Sequence, residues 1–305
     1  MAAAHMPAPA PGIDERTRGL AFAFAAYGAW GFFPLYFKAL GGLPALEILS
    51  HRIPWSAVFM AGYVAVTGRW RDVLAALRTP ATVGLLAVTT SLIALNWGIY
   101  VWAVNAGRIV EASLGYFINP LVNVLLGALF LGETLSRPSR WAVGIATAGV
   151  LVLAVRVGTL PWIPLSVAAS FGLYGLLRKR AEVDSTVGLL VEMLLLFPLA
   201  VGWLAWLQAR GAGAFGGGVR ITLLLMAGGV VTALPLVWFG IAVRRLRLAT
   251  IGFVQYVTPT TQLLLAVWLY GERFTRAHAA AFGLIWLSLG IYTAEALWRL
   301  RRPAP

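Results

Sequence analysis

Three ionisable side chains interrupt otherwise apolar stretches of this chain. His51 and Arg52 lie in EILSHRIPWSAVFMAGYVAV, and Glu192 lies in VGLLVEMLLLFPLA. An imidazole titrates close to neutral pH, and a carboxylate held in an apolar setting can exchange a proton with its surroundings. His51 and Glu192 are therefore the candidates for coupling a process to protons. Arg52 reads in two ways: as a lining group beside His51, or as a structural charge that snorkels or pairs with Glu47 five residues earlier. His51 and Glu192 carry the same pair of readings, site or structure.

Amides and prolines form the next layer. Asn96 and Trp97 sit deep in one apolar stretch, and Asn119 and Asn123 flank Pro120 in the next, one helical turn apart on a shared face. Pro120 lacks the donor that a helix needs and frees the carbonyl near position 116. Gln255, Tyr256 and Gln262 surround Pro259 in the same manner. Both prolines read as helix breaks, where freed backbone groups can meet a polar molecule if they face a cavity. The amides serve equally well as glue between helices. Cavity lining is the reading taken for Asn96, Asn119, Gln255 and Tyr256, and glue for Asn123 and Gln262. Trp30, Trp97, Trp102, Tyr116 and Tyr174 could wall such a cavity against a planar apolar molecule, although interfacial belts draw on the same residue types.

Other chemistries find no support. Cysteine is absent, which removes disulfides, thiolate metal sites and a cysteine nucleophile. His5, His51 and His278 are scattered, so no metal cluster is expected. The chain lacks GxxxxGK[ST], HExxH and GxSxG, which argues against direct ATP drive and against an enzyme, and no cofactor motif appears. The net charge of +13 lacks the basic face with interleaved aromatics that nucleic acid needs.

The elements that hold these residues must be membrane helices. Of 305 residues, 60% are hydrophobic and 11% charged, too few charges to cover a water-facing surface. Breaks at charges, Pro and Gly place ten spans near 19–39, 46–67, 81–104, 112–131, 139–156, 161–178, 186–208, 220–243, 249–270 and 278–298. Residues 1–18, Ala/Pro-rich and without an apolar core, read as a disordered tail and not as a signal peptide; Met6 is an alternative start. Residues 299–305 read as a basic C-terminal tail. Lys and Arg gather in alternate connections, as at Arg69, Arg71 and Arg78 or Arg178, Lys179 and Arg180, which puts both termini in the cytoplasm.

One string occurs twice. GYFINPLVNVLLGALFLGE starts at Gly115, and GFVQYVTPTTQLLLAVWLYGE starts at Gly252. Pro120/Pro259, Gly132/Gly271, Glu133/Glu272, Arg137/Arg276 and Gly144/Gly283 coincide under one constant offset. Ala112 pairs with Ala249, and Tyr27-Gly-Ala-Trp-Gly pairs with Phe171-Gly-Leu-Tyr-Gly, so that Trp30 and Tyr174 correspond. The chain reads as two five-helix repeats, 19–156 and 161–298. An odd number of spans inverts the second repeat relative to the first, an architecture suited to alternating access around a midplane site. Glu133 and Glu272 are expected to pair with Arg137 and Arg276 at helical i+4 spacing.

The doubled string and the ten short spans resemble the EamA group of the drug/metabolite transporter superfamily. EILSHRIPWS at 47–56, NWGIYVWAVN at 96–105 and EASLGYFINPLVN at 111–123 resemble its RarD branch, named for chloramphenicol sensitivity. The resemblance covers nearly the whole chain. It implies a bacterial inner-membrane permease, usually thought of as an exporter, that moves a small organic molecule through the lipid bilayer. An importer and an accessory membrane subunit stay open as alternatives. The lipid-facing surfaces resemble one another in composition, so no oligomeric state is read from them.

Overall fold

A computed structural model gives the fold and describes residues 13–132, 134–243, 245–246, 250–251 and 254–301. Glu133, Ala249, Gly252, Arg244, Arg247, Arg302 and most of the expected N-terminal tail lie outside those residues.

The described chain is helical, with no strand among the described residues. In order, the elements are α1 (Ile13–Gly31), α2 (Phe33–Ala39), α3 (Ala45–Val66), α4 (Trp70–Arg78), α5 (Pro80–Asn105), α6 (Ile109–Leu131), α7 (Arg137–Val157), α8 (Trp162–Arg180), α9 (Ser185–Ala209), α10 (Val219–Val243), α11 (Val257–Leu264) and α12 (Arg276–Arg301). A π-helical turn, Leu265–Leu269, continues α11. Local signals fix the ends. Ser136 Oγ caps α7 by accepting from Ser139 N at 3.1 Å, and Asp184 Oδ1 caps α9 by accepting from Thr186 N at 2.9 Å.

Seven segments are long and apolar enough to cross a membrane: Glu15–Ala39 (α1 with α2), Pro80–Asn105, Ile109–Phe130, Arg137–Val157, Ser185–Ala209, Val219–Ala242 and Arg276–Glu295. Three of the ten expected spans fall outside this set. α3 carries Glu47, His51, Arg52 and Pro54, α8 ends in Arg178, Lys179 and Arg180, and α11 with its π turn is short. The molecule is a multi-pass membrane protein whose more polar helices lie among the apolar ones. α3 packs between α9 and α10, α8 between α5 and α6, α1 against α10 and α11, and α7 along α12.

Three expectations need correction. Residues 13–18, assigned to a disordered tail, form the first turns of α1, because Glu15 Oε2 accepts from Arg245 Nε at 2.9 Å and ties the segment to the end of α10. Residues 299–301 likewise extend α12. Pro120 does not break its helix: α6 runs through it from Ile109 to Leu131. The loss of one helical bond there is outweighed by close packing on α8. A Cβ on Gly115 would lie 2.8 Å from the carbonyl oxygen of Pro164, so only glycine permits this approach. Pro259 sits in the first turn of α11, where backbone N–H groups have no helical acceptor and a missing donor costs nothing.

Candidate functional site

Arg52 lies in the second turn of α3 and is 2% exposed. The approach of α3 to α10 that buries it depends on Gly229, where a Cβ would meet the backbone of Trp55. This crossing brings Thr232 of α10 to Arg52, whose Nε donates to Thr232 Oγ1 at 2.9 Å. Aromatic rings surround the guanidinium. Its carbon lies 4.9 Å from the ring centre of Trp97, 5.2 Å from Phe37 and 5.9 Å from Phe33. No carboxylate among the described residues pairs with it. Glu47 is not its partner, since five residues along a helix is about 140° around it. Glu47 Oε1 instead accepts from Ala214 N at 2.6 Å and holds the α9–α10 connection.

His51 turns away from Arg52. Its ring stacks on Phe215 of the same connection, with centroids 5.2 Å apart and planes 22° apart. The structure therefore separates the two neighbouring residues: Arg52 points among α2, α5 and α10, and His51 to the loop beyond α9.

Glu192, fully buried in the second turn of α9, forms a second centre. Its Oε1 accepts from Thr89 Oγ1 of α5 at 2.7 Å, and its Oε2 from Tyr174 Oη of α8 at 3.3 Å. Arg178 Nε lies 3.8 Å from Oε1. The Arg178 guanidinium rests against Gly188, where any side chain would collide with it. Glu192 thus has a counterion, and a hydroxyl on each oxygen.

The other expected residues divide between these centres and the helix contacts. Asn96 joins α5 to α8: its Nδ2 donates to Val167 O at 2.9 Å and Ser170 Oγ at 3.0 Å, and its Oδ1 accepts from Tyr116 Oη at 3.4 Å. Asn119 is buried with its Oδ1 unpartnered. Gln262 Nε2 donates to Trp30 O at 3.1 Å, and Trp30 packs edge-on against Tyr27. Tyr256 stacks on Phe117 at 6.3 Å, while Gln255 occupies the turn ahead of α11. Trp102 meets Trp162 near the ends of their helices, away from both centres.

Glu272 does not pair with Arg276. Its two oxygens accept from Ile109 N and Val110 N, each at 2.8 Å, and so cap α6. The helical spacing rule fails there because helix geometry ends at Leu269, while the first amides of α6 need an acceptor. Sequence reasoning missed Thr89, Thr232, Tyr100, Phe33, Phe37 and the role of Arg178. Threonine and phenylalanine give no signal in an apolar stretch, and Arg178 belongs to a basic run at a helix end.

Comparison with known proteins places this geometry in a family. The profile of the EamA-like transporter family matches residues 17–155. An uncharacterized transporter of Vibrio cholerae is 45% identical over 288 residues, covering 94% of this chain and 95% of the relative. Protein RarD of Salmonella typhi is 45% identical over 289 residues, covering 94% and 98%. A solved crystal structure, 19% identical, superposes with a TM-score of 0.59 over 94% of this chain and 99% of that one, and so shares its fold. On this similarity along nearly its whole length, the chain belongs to the EamA-like transporter family as a RarD-like permease.

Proposed function

We propose that the chain is a secondary transporter that exports a small organic molecule across the inner membrane of a bacterium by alternating access, with both termini cytoplasmic. In this reading residues 19–156 and 161–298 form two inverted five-helix units. The helix contacts support it, because they exchange in pairs when the halves are swapped: α1–α10 with α8–α5, α3–α10 with α9–α5, and α6–α8 with α11–α1.

One observation carries the reading. Arg52 and Glu192 each lie seven residues into α3 and α9, about 10 Å along the helix. Each bonds a threonine from the opposite half, Arg52 to Thr232 and Glu192 to Thr89. Two buried charges at matched depths from opposite ends are costly in hydrocarbon and mark a pathway. Glu192 is the proton-exchanging group of the pair, set among Arg178, Tyr174 and Thr89. The outward direction rests on the resemblance to the RarD branch, usually thought of as exporters, and the chemistry is transport alone, with no bond made or broken.

Proteoliposomes that contain only this chain test the proposal. They are screened with amphenicols, aromatic amino acids and other metabolites, with and without a pH gradient. At least one compound is expected to move, faster with the gradient imposed, and Glu192→Gln should remove the response to the gradient. No flux of any compound would point to an accessory subunit. Flux that is insensitive to pH in wild type and variant alike would remove proton coupling.

A further inference from the structure

Arg52 stands apart from the other buried charges. Glu47 has a backbone amide, and Glu192 has two hydroxyls and a guanidinium. Among the described residues Arg52 has one acceptor, Thr232 Oγ1, for five N–H donors. Aromatic faces attract a cation but offer its N–H groups no lone pair in the plane of the guanidinium. Tyr36, Tyr116 and Tyr100 lie close enough to act electrostatically on Arg52.

Tyr100 supplies an independent observation. It is 3% exposed, and its hydroxyl is buried without any hydrogen-bond partner. Tyr36 and Tyr116, by contrast, donate to Leu224 O and Asn96 Oδ1. The Tyr100 ring meets the same Phe37 that flanks Arg52, with centroids 6.0 Å apart. An unpartnered phenol and a guanidinium with one acceptor among the described residues therefore both lie beside Phe37, and the guanidinium also lies over Phe33 and Trp97. Buried donors normally find acceptors. A planar acceptor with one negative charge and an apolar body beside it would suit both donors and the rings around them.

We infer that Arg52 and Tyr100 form the receptor for the carboxylate of the transported molecule, so that the substrate is a small organic carboxylate whose apolar part lies against Trp97, Phe33 and Phe37. A carboxylate fits the fork of an arginine through two parallel hydrogen bonds. A phosphate dianion would call for a second cation. The inference rests on the transport reading above, and the test separates the two.

The full chain, purified in detergent, is titrated with 3-phenylpropionate, with its neutral amide 3-phenylpropionamide and with inorganic phosphate, while thermal stability and binding heat are followed. The carboxylate is expected to raise Tm, and the amide and phosphate to leave it unchanged. Tyr100→Phe removes only the unpartnered hydroxyl. It should fold with an unliganded Tm at or above that of wild type, yet weaken carboxylate binding about tenfold. Arg52→Gln should abolish it, and Arg52→Lys should retain only a fraction. Equal shifts with acid and amide, no shift with either, a response to phosphate equal to that of the acid, or an unchanged response in Tyr100→Phe and Arg52→Gln would each overturn the receptor. In proteoliposomes, a neutral compound carried equally well by Arg52→Gln would overturn it while leaving transport intact. Carboxylate binding with no flux of any compound would overturn transport and leave the receptor standing.

Discussion

The surroundings of Arg52 and of Glu192 make the central comparison in this molecule. Each charge sits in the second turn of its helix, and α3 and α9 pack on each other. Each takes one short hydrogen bond with a threonine, 2.9 Å for Arg52 and 2.7 Å for Glu192. The resemblance ends at the counter-charge. Glu192 has Arg178 and Tyr174 close by, whereas Arg52 has aromatic faces and no carboxylate among the described residues. One centre holds a buried acid beside a cation, and the other holds a cation with no carboxylate partner among the described residues. A fold that balances its buried acid but leaves its buried base unbalanced reserves the second site for a charge that arrives from outside.

The strongest way to break this comparison is to remove each charge in turn and compare signs. Glu192→Ala leaves Arg178 without its anion, and breaking a buried pair costs about 3–5 kcal/mol. Arg52→Met removes a desolvated charge that has no anion to lose. Exchanging buried ions for apolar groups is often neutral or stabilising by about 1–4 kcal/mol. Thermal unfolding in detergent should therefore show a lower Tm for Glu192→Ala and an equal or higher Tm for Arg52→Met. Equal losses in both would mean that Arg52 is already balanced and that the two centres do not differ in kind.

The threonines sharpen the comparison at smaller scale. A hydrogen bond to a charged group contributes about 1.5–3 kcal/mol. Thr89→Val removes one of two hydroxyls on Glu192, whereas Thr232→Val removes the one acceptor that Arg52 has among the described residues. The loss in Tm should be larger for Thr232→Val than for Thr89→Val. Gly229→Ala attacks the crossing beneath Thr232. Its new methyl would meet the Trp55 backbone, which cannot rotate away, and overpacking of this kind costs about 1–3 kcal/mol. Carboxylate binding should fall with it, while Gly62→Ala on α3, facing open space, should change neither.

The sequence made the helical membrane character legible because composition and apolar run length decide it. It also singled out Arg52 and Glu192, since a charge in such a run is conspicuous. It did not reveal what they touch. Thr232 lies 180 residues from Arg52 and Thr89 lies 103 from Glu192, and no local periodicity links such pairs. Local rules misled where their geometry did not hold. Glu47 and Arg52 are close in sequence but on different faces of α3, and Glu272 lies beyond the last helical turn, where i+4 spacing has no meaning. The placement of His51 was illegible for another reason. Its direction is set by Phe215, on a connection whose path the sequence does not specify.

The smallest effect tests how α9, the helix that carries Glu192, is anchored at its start. Asp184 precedes it, and its Oδ1 lies 2.7 Å from Arg69 Nη1 of the α3–α4 turn. Burial alone would raise the Asp184 pKa, but hydrogen bonds from Thr186 and the adjacent Arg69 guanidinium overcome it and hold the carboxyl down to about 2, against an ordinary value of 3.8. A depressed carboxylate adds stability that is complete above its unfolded pKa and is lost as pH falls through the folded one. The ion pair should therefore be intact above about pH 4 and should fade toward pH 2. Asp184→Asn keeps a side chain able to cap α9 and removes only the charge. Because the pair is partly exposed, the difference between wild type and variant should be no more than about 1 kcal/mol at neutral pH. It should shrink between pH 4 and pH 2 in thermal unfolding. A difference that stays constant down to pH 2 would mean that Arg69 does not anchor α9 through charge, and that the packing of α9 on its neighbouring helices holds Glu192 in place.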